Sequence, residues 1–440
     1  MMLSMEVWAL IMFACVMLAL LIGYPVAFTL GAIAALFGTI FLGFDYFQLL
    51  PLRIWGVMTN FTLSAVPLFI FMGIVLEKSG LAEDLLETMG LLFGKIRGGL
   101  ALSVVIVGAL LAATTGVVGA TVVTMGIIAL PAMLKHNYSP ELATGTIAAS
   151  GTLGQIIPPS IILILLADVM GINVGRLFLS AVVPSLLLIS LFIIYIIYFA
   201  WRNPEAAPAL KSNSSENLTL RVIKSLLPPL LLICAVLGTI FGGVASPTES
   251  AAYGSLGALI LAAIHNRLSI KNLLEAAQHT TKLTSMVFLI LIGATAFGLV
   301  FRGMGGDQLV ENLFTDLPGG TWTFILLSML LIFILGFFLD FLEICFIVVP
   351  ILSPIASLMG VDLVWFAILI AINLQTSFLT PPFGFSLFYL KAVAPAEIKL
   401  QQIYRGIIPF VLIQIATLLL LVCFPKVVSW LPTYVEQFTR

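Results

Sequence analysis

The chain has 440 residues, of which 61% are hydrophobic and 9% charged, with a formal net charge of −1. A soluble globular domain carries about 25% charged residues, so a chain this apolar needs lipid as its solvent. The near-neutral charge argues against nucleic acid as a partner, and no nucleotide-binding or catalytic motif indicates an enzyme. The composition therefore predicts an all-α polytopic membrane protein.

Ten apolar segments have the length that a membrane crossing needs, about 20 residues of helix. In chain order they are 5–22, 24–43, 54–76, 141–168, 177–200, 225–243, 247–264, 283–301, 363–390 and 406–425. Residues 98–134 do not fit this scheme of single crossings. Their 37 uncharged residues would make one helix of about 55 Å, too long for a hydrocarbon core of about 30 Å, and they are too few for two spans and a turn. They predict a re-entrant helical hairpin with its tip at 114–119, and residues 321–359 repeat the pattern.

The residues that interrupt helices recur at an offset of 223 positions. Pro158-Pro159 falls on Pro381-Pro382, and the tip at 114–119 falls on 337–342. Amphipathic stretches at 81–87 and 268–282 predict helices that lie at the membrane interface. The first predicted repeat, 1–200, holds scaffold spans at 1–76, the hairpin at 98–134 and a broken span at 141–173. After a hydrophilic cytoplasmic linker at 201–224, the second repeat, 225–440, holds scaffold spans at 225–264, the hairpin at 321–359 and a broken span at 363–390.

The charges predict how the chain crosses the membrane. Five connections, namely 77–97, 135–141, 201–224, 265–282 and 391–405, hold 14 of the 19 Lys and Arg residues and are assigned to the cytoplasm. This assignment gives five crossings in each half, an odd number, so the halves are predicted to be inverted. Inverted repeats with broken helices are typical of secondary transporters. The alternative is a duplicated helical bundle with no transport role.

Asp340 and Glu343 are the first residues expected to carry chemistry. A carboxylate at bilayer depth is costly and by default indicates an ion or proton site. Their spacing of three residues would place both on one face of a helix. Alternatively, one of them caps a half-helix or lies in a wet cavity.

Two helix breaks are the next candidates. Glycines and a double proline interrupt the run Ser150-Gly151-Thr152-Leu153-Gly154-Gln155-Ile156-Ile157-Pro158-Pro159, because proline lacks the backbone donor and clashes with the preceding turn. The counterpart is Asn373-Leu374-Gln375-Thr376-Ser377-Phe378-Leu379-Thr380-Pro381-Pro382. Unwound carbonyls and hydroxyls are hard oxygen ligands suited to Na⁺, whereas a kinked helix with internally bonded polar groups is the structural alternative.

The hairpin tip adds Thr114, Thr115 and Gly116 as further oxygen donors, although threonine bonding back into its own helix is common. Free amides at the starts of half-helices would attract an anionic substrate. Asp168, Lys391 and Glu249 are interpreted as structural.

At this point the sequence resembles a known family. The runs Gly116-Val117-Val118-Gly119-Ala120-Thr121 and Ser150 to Ser160, the turn Pro247-Thr248-Glu249, and Leu379-Thr380-Pro381-Pro382 resemble the large, DctM-like membrane subunit of tripartite ATP-independent periplasmic (TRAP) transporters. The resemblance covers essentially the whole chain, and the run Gly-Thr-Leu-Gly-Gln-Ile-Ile-Pro-Pro-Ser is its most specific part.

The resemblance implies an elevator-type protein of the ion-transporter superfamily in the bacterial inner membrane, with a scaffold and a moving transport domain. It implies two partners, a small DctQ-like membrane subunit and a periplasmic DctP-like substrate-binding protein, and an organic-acid substrate. Na⁺ would be the coupling ion, with no other cofactor or metal.

The resemblance also implies two Na⁺ sites, one between tip 114–119 and break 150–155, the other between tip 336–343 and break 373–380. The cation-binding candidates are Thr114, Thr115, Gly116, Ser150, Gly151, Thr152, Gly336, Asp340, Gln375 and Thr376. The substrate or gating candidates are Pro158, Pro159, Glu343, Asn373, Thr380, Pro381 and Pro382.

One departure bears on coupling. Many relatives have a Met-Asp-Met second tip, whereas this chain reads Phe338-Leu339-Asp340-Phe341-Leu342-Glu343, so a second carboxylate leaves both Na⁺ and proton coupling open. The alternatives are a stand-alone Na⁺- or H⁺-coupled symporter of the same fold and, from another class, a membrane-embedded enzyme or channel. The sequence is also expected to carry no fused small subunit.

Overall fold

The computed structural model describes residues 4–210, 218–315 and 318–438, and every regular element in those ranges is a helix. Part of the predicted linker, 211–217, lies outside the described residues. The helices of the first half are α1 (Met5–Ile22), α2 (Val26–Phe41), α3 (Leu50–Met58), α4 (Ala65–Lys78), α5 (Leu81–Phe93), α6 (Gly99–Thr115), α7 (Val118–Lys135), α8 (Pro140–Thr152), α9 (Ile161–Met170) and α10 (Val174–Arg202).

The second half holds the helices α11 (Leu218–Phe241), α12 (Pro247–Ile264), α13 (Ile270–Gly303), α14 (Gly306–Thr315), α15 (Gly320–Leu335), α16 (Phe341–Glu343), α17 (Val349–Leu358), α18 (Leu363–Leu379), α19 (Phe385–Val393), α20 (Leu400–Cys423) and α21 (Lys426–Phe438). A π-helical segment, Ile344–Val348, joins α16 to α17 without a gap. Within the described ranges, seven helical stretches are long and apolar enough to cross a membrane, or eight if α4 and α5, bent by 59°, form one span. The predicted polytopic all-α class is confirmed.

Two of the predicted segments are wrong in detail. Residues 54–76 are not one helix, because α3 ends at Met58 and α4 begins at Ala65. Asn60 lies in the gap, where its Oδ1 accepts from the Thr62 amide at 2.9 Å and its Nδ2 donates to Asp168 Oδ1 at 2.6 Å. Asparagine offers the backbone such local bonds in place of the helical ones.

The predicted separate interfacial helix at 268–282 is also wrong. Residues from Ile270 onward continue without interruption into α13, a helix of 34 residues. No glycine or proline occurs between Ile270 and Gly293 to end it. At about 1.5 Å per residue, α13 is about 50 Å long and exceeds the hydrocarbon core of about 30 Å.

Both predicted hairpins are pairs of helices with a short turn between them. The turn from α6 to α7 consists of Gly116 and Val117, and the two helices pack against each other. The turn from α15 to α16 covers residues 336–340. Because α7 and the stretch Phe341–Leu358 are each 18 residues long and apolar, both have the length of a span. Re-entry into the bilayer therefore stays a prediction.

Both double prolines break their helices as predicted. A 3₁₀ turn, Leu153–Gln155, and five non-helical residues separate α8 from α9, and a shorter break separates α18 from α19. Helix ends also repeat at the sequence offset, since α7 begins and ends 223 residues before the stretch Phe341–Leu358. The inversion of the halves across the membrane stays a prediction.

The core of the molecule surrounds the two broken helices. All residues from Leu142 to Thr152 in α8 and from Trp365 to Leu379 in α18 are buried. Helix α8 packs against α6, α7 and α20, and α18 packs against α15 and α20. Elsewhere, α2 and α4 pack against α13, and α4 packs against α12.

Candidate functional site

The tips of both hairpins line one cavity of about 310 Å³. Val117 of the first turn and the start of α7, from Val118 to Ala120, line it, as do Asp340 and Phe341 of the second tip. Helices α4 and α13 also line the cavity, with Ile70, Ile74, Glu77, His279, Leu283, Met286 and Val287. Of the predicted site residues, Thr115 and Asp340 line this cavity.

Hydroxyl groups stiffen the first tip. Thr114 and Thr115 each donate a hydrogen bond to the Leu111 carbonyl at 2.9 Å, and Thr115 Oγ1 also lies 2.9 Å from Thr121 Oγ1. Gly116 ends α6 with a φ of 61°, a conformation that side chains disfavour. Donation to the helix leaves lone pairs on the threonine oxygens for a ligand.

The first break lies directly behind the first tip. A Cβ at Gly154 would lie 3.3 Å from the Ala112 carbonyl oxygen, and one at Gly108 would lie 2.7 Å from Ser150 Cβ. Gly151 approaches Val122 so closely that no side chain would fit. The glycines therefore allow α6, α7 and α8 to meet, which brings the predicted residues Ser150, Gly151 and Thr152 next to the tip.

Two serines that were not predicted as site residues donate hydrogen bonds to backbone carbonyls of this break. Ser160 donates to the Gln155 carbonyl at 2.9 Å, and Ser185 of α10 donates to the Ile156 carbonyl at 3.0 Å. The predicted free carbonyls at 155 and 156 thus already have one partner each. Pro158-Pro159, a cis peptide, lies next to them. The position of Ser160 directly after the double proline could have indicated its role. No feature of the sequence indicated a role for Ser185.

The second tip is closed by its own carboxylates. Asp340 Oδ1 accepts from the Phe341 amide at 2.7 Å, and Glu343 Oε2 accepts from the Asp340 amide at 3.2 Å. This is the capping alternative that the sequence left open. Asp340 also lines the cavity, whereas Glu343 does not.

The second break packs against the second hairpin. Gly336 approaches Ser377 too closely to carry a side chain. Asn373 Nδ2 donates to the Met329 carbonyl of α15 at 2.6 Å. Thr376 and Thr380 donate to Ile372 and Thr376 carbonyls, both at 2.7 Å. Pro381-Pro382 is cis.

The buried amides at the breaks fit a cation or ordered water. Gln155 and Gln375 are fully buried, and neither amide oxygen nor amide nitrogen has a hydrogen-bond partner among the described residues. Their elements, the 3₁₀ turn and α18, contact each other. Buried polar groups are nearly always paired, so a buried oxygen without a donor is suited to contact a water or a cation. Serine, threonine and amide oxygens are the donor set expected for Na⁺ at both breaks.

Several cavity residues were not selected from the sequence. Glu77 reaches the cavity from the end of α4, and its Oε1 accepts from the Thr124 hydroxyl of α7 at 2.9 Å. His279 enters from α13, and Tyr389 of α19 packs against Gly119 of the first tip. They come from segments far apart in sequence, and no local motif marks them.

A second cavity, of about 210 Å³, lies farther along α13. Thr295, Gly298 and Arg302 of α13 line it, together with Arg53 of α3 and residues Pro350 and Ile351 of α17. Arg302 forms an ion pair of 3.1 Å with Asp307, which also lines the cavity. By the predicted orientation this cavity opens to the outside.

The three charged residues interpreted as structural all make hydrogen bonds within the protein. Asp168 accepts from Asn60, Lys391 donates to the Ile398 carbonyl at 2.6 Å, and Glu249 forms a capping box with Ser246 at the start of α12. These contacts agree with a structural role for each, which stays a prediction.

Two solved structures share the fold. The YdaH transporter of Alcanivorax borkumensis superposes with a TM-score of 0.63 at 14% identity, covering 97% of this chain and 98% of that one. MtrF of Neisseria gonorrhoeae, described as illuminating a class of antimetabolite efflux pumps, gives a TM-score of 0.54 at 13% identity, covering 89% and 85%. At such identity the likeness shows the fold alone.

Sequence relatives cover nearly the whole chain. The C4-dicarboxylate TRAP transporter large permease protein DctM of Pseudomonas aeruginosa is 31% identical over 391 residues, 89% of this chain and 90% of the relative. The sialic acid TRAP transporter large permease protein SiaM of Vibrio cholerae is 30% identical over 412 residues, 93% and 95%. The isethionate TRAP transporter permease protein DctMQ of Oleidesulfovibrio alaskensis is 28% identical over 424 residues, 95% and 65%.

These relatives are named as permeases, which are transporters and not enzymes. The family described as "Tripartite ATP-independent periplasmic transporter, DctM component" matches residues 13–427. The chain therefore belongs to the DctM family, the large permease component of tripartite ATP-independent periplasmic transporters.

Proposed function

We propose that this permease imports a small organic acid across the bacterial inner membrane, driven by a Na⁺ gradient. The main support for this proposal is the cavity that both hairpin tips line, with a buried polar helix break packed behind each tip. Relatives named for C4-dicarboxylates, sialic acid and isethionate support an organic acid as the substrate class.

The chain's residues would divide the work between two layers. On the cavity side, the start of α7 presents backbone amides, which favour an anion. Behind the tips, hydroxyl and amide oxygens of Thr114, Thr152, Gln375 and Thr376 would hold Na⁺. A cation bound behind each tip would order it and offset the negative charge of the substrate, so that cation and anion bind together.

The cavity lies between two groups of helices that would move against each other. The hairpins and broken helices form one group, and α4 and α13 face them across the cavity. Sliding of the first group along α13 would carry the site across the membrane, as an elevator does. The Glu77–Thr124 hydrogen bond joins the groups and would break in each cycle.

Membership in a tripartite family supports two partners, a small DctQ-like membrane subunit and a periplasmic DctP-like binding protein that delivers the substrate. Reconstituted uptake of succinate, sialic acid and isethionate, each with its binding protein, would test both substrate and partners. Uptake that persists with the small subunit and the binding protein both absent would favour a stand-alone symporter.

Na⁺ coupling can be tested without knowing the substrate. The thermal stability of the purified protein is measured in NaCl and in equal concentrations of KCl or choline chloride. A ligand that binds only the folded state stabilises it by about 2.7 kcal/mol at a hundred times its dissociation constant. We expect a saturable, Na⁺-specific rise that weakens in Thr152→Ala. The absence of any Na⁺-specific rise would contradict Na⁺ coupling and favour protons acting through Asp340 and Glu343.

A further inference from the structure

Gln414 of α20 makes an unusual contact with the first break. Its side chain is fully buried, and its Nε2 donates to Thr152 Oγ1 at 3.3 Å. Its Oε1 is also buried and, among the residues that the structure describes, has no hydrogen-bond partner. A residue 262 positions away in sequence thus contacts a predicted cation ligand through one amide atom and leaves the other unmatched.

The packing of α8 against α20 fixes this contact. Gly145 of α8 meets Gly406 of α20 backbone to backbone, with no room for a side chain on either. Thr152 lies seven residues beyond Gly145, and Gln414 lies eight residues beyond Gly406, which is about two helical turns in each case. The helices therefore run side by side in the same direction, and their register places Gln414 opposite Thr152.

The hydrogen bonds of Thr152 leave one direction open. Its hydroxyl donates to the Ala149 carbonyl at 2.8 Å and accepts from Gln414. A hydroxyl oxygen has two acceptor lone pairs, so one lone pair remains, and Gln414 determines where it points. Without Gln414, the side chain of Thr152 would lose this constraint.

Two further buried amides, without partners among the described residues, lie on elements that α20 contacts directly or through α18. Gln155 and Gln375 also have buried amides without partners, and they lie on the 3₁₀ turn and on α18. The turn contacts α18, and α18 contacts α20. Unpaired buried oxygens favour a cation or a water bound to one, because an apolar filling would leave each of them unsatisfied.

We propose that Gln414 is a positioning residue of the first cation site, which orients the Thr152 hydroxyl towards a bound Na⁺. The proposal rests on the proposed Na⁺ coupling and adds α20 to the elements that respond to the ion. Groups that orient a metal ligand typically change metal affinity by about 10–100-fold when they are removed.

The test uses the full-length protein and Na⁺ itself as the probe. Thermal stability is titrated with NaCl at constant ionic strength, with choline chloride as the balance, for wild type, Gln414→Met and Gln414→Asn. Methionine keeps the size and removes both polar atoms, whereas asparagine keeps the amide but is about 1.5 Å too short. We expect both to raise the half-maximal Na⁺ concentration at least about tenfold. If Gln414→Met does not fold, Gln414→Asn alone carries the test.

Thr417→Val is the matched control, because Thr417 is equally buried on α20 and bonds only within its helix, to the Ile413 carbonyl at 2.8 Å. It should leave the half-maximal Na⁺ concentration unchanged. Adding Gln414→Met to Thr152→Val should cause no further loss, because both residues act through one hydroxyl.

The outcomes separate this inference from the function it rests on. An unchanged half-maximal Na⁺ concentration in both Gln414 variants, with Thr152→Val weakened, overturns the inference and leaves Na⁺ coupling intact. Additive losses in the double variant also overturn it. A wild-type protein that shows no Na⁺-specific stabilisation overturns Na⁺ coupling and, with it, the role of Gln414.

Discussion

Asp340 has two roles, since it caps a helix and lines the cavity between the tips. Its Oδ1 caps the short helix α16 by accepting from the Phe341 amide, and the residue also lines the cavity between the tips. A carboxylate has about four lone-pair sites, so capping leaves others for a cation. The positive end of a helix offsets part of the cost of a negative charge at bilayer depth.

The Asp340→Asn variant distinguishes the capping role of Asp340 from its proposed role as a charged group at the ion site. Asparagine is as good an N-cap as aspartate, so we expect the protein to fold. The variant lacks the negative charge, and a charged hydrogen-bonding partner is worth about 1.5–3 kcal/mol. We therefore expect concentrative uptake in proteoliposomes with an imposed Na⁺ gradient to fall at least about tenfold.

Asp362→Asn serves as the control, because Asp362 caps α18 in the same way, with its Oδ1 accepting from the Val364 and Trp365 amides, but is exposed. It should transport like wild type. Wild-type uptake and Na⁺ dependence in Asp340→Asn would contradict the assignment of Asp340 to the ion site.

At the scale of helices, glycines set how closely each hairpin approaches its break. Gly336 faces Ser377 and Gly108 faces Ser150, both without room for a methyl group. The hairpin and the broken helix therefore form one packed unit in each half of the chain. Close packing of this kind transmits small displacements, because interiors have few voids to absorb them.

Gly336→Ala tests this packing. Its φ of −65° suits alanine, so the expected effect is steric and not conformational. Overpacking costs about 1–3 kcal/mol, and we expect a lower thermal denaturation midpoint together with weaker Na⁺-specific stabilisation. Gly238→Ala in α11, where a Cβ meets nothing within 4 Å, should keep or raise the midpoint. Equal behaviour of the two variants would contradict a close fit at the second tip.

Local signals in the sequence predicted the breaks and turns well. Pro158-Pro159 and Pro381-Pro382 interrupt their helices because proline acts on its own turn. The gap between α3 and α4 escaped prediction, because Asn60 holds it through a bond to Asp168, 108 residues away.

The cavity was harder to predict than the tips that line it. Thr115 and Asp340 stand out locally, as a threonine at a glycine turn and a carboxylate in an apolar run. Glu77, His279 and Tyr389 come from three separate helices and meet only when the chain folds. Periodicity and composition describe one segment at a time, so they cannot identify such a set.

At the scale of the whole molecule, two cavities among the described residues of this multi-pass permease of the bacterial inner membrane lie along one helix. Helix α13 lines both of them. His279 and Met286 line the cavity between the tips, and Thr295 and Arg302 line the second cavity. The charged residues around the cavity between the tips are Glu77 and Asp340, whereas Arg53, Arg302 and Asp307 line the second cavity, which the predicted orientation places towards the outside. Arg53 is therefore expected to attract an organic anion towards the predicted outer face.

Arg53→Gln tests whether this charge assists uptake. We expect slower uptake of an organic anion at low ionic strength, as a several-fold higher KM with little change in the maximal rate, because steering acts on encounter. The difference should shrink in high salt, where the Debye length falls from about 10 Å at 0.1 M to about 3 Å at 1 M.

Two variants give this prediction its controls. Arg53→Lys keeps the charge and should transport like wild type. Arg176→Gln removes an arginine from the same predicted face but away from the cavity, where Arg176 pairs with Glu436 at 3.6 Å, and should have little effect. Equal losses in Arg53→Lys and Arg53→Gln, or a loss that does not depend on salt, would mean that Arg53 acts through packing or a specific contact. In that case the charge of Arg53 would have no part in attracting the substrate to the permease.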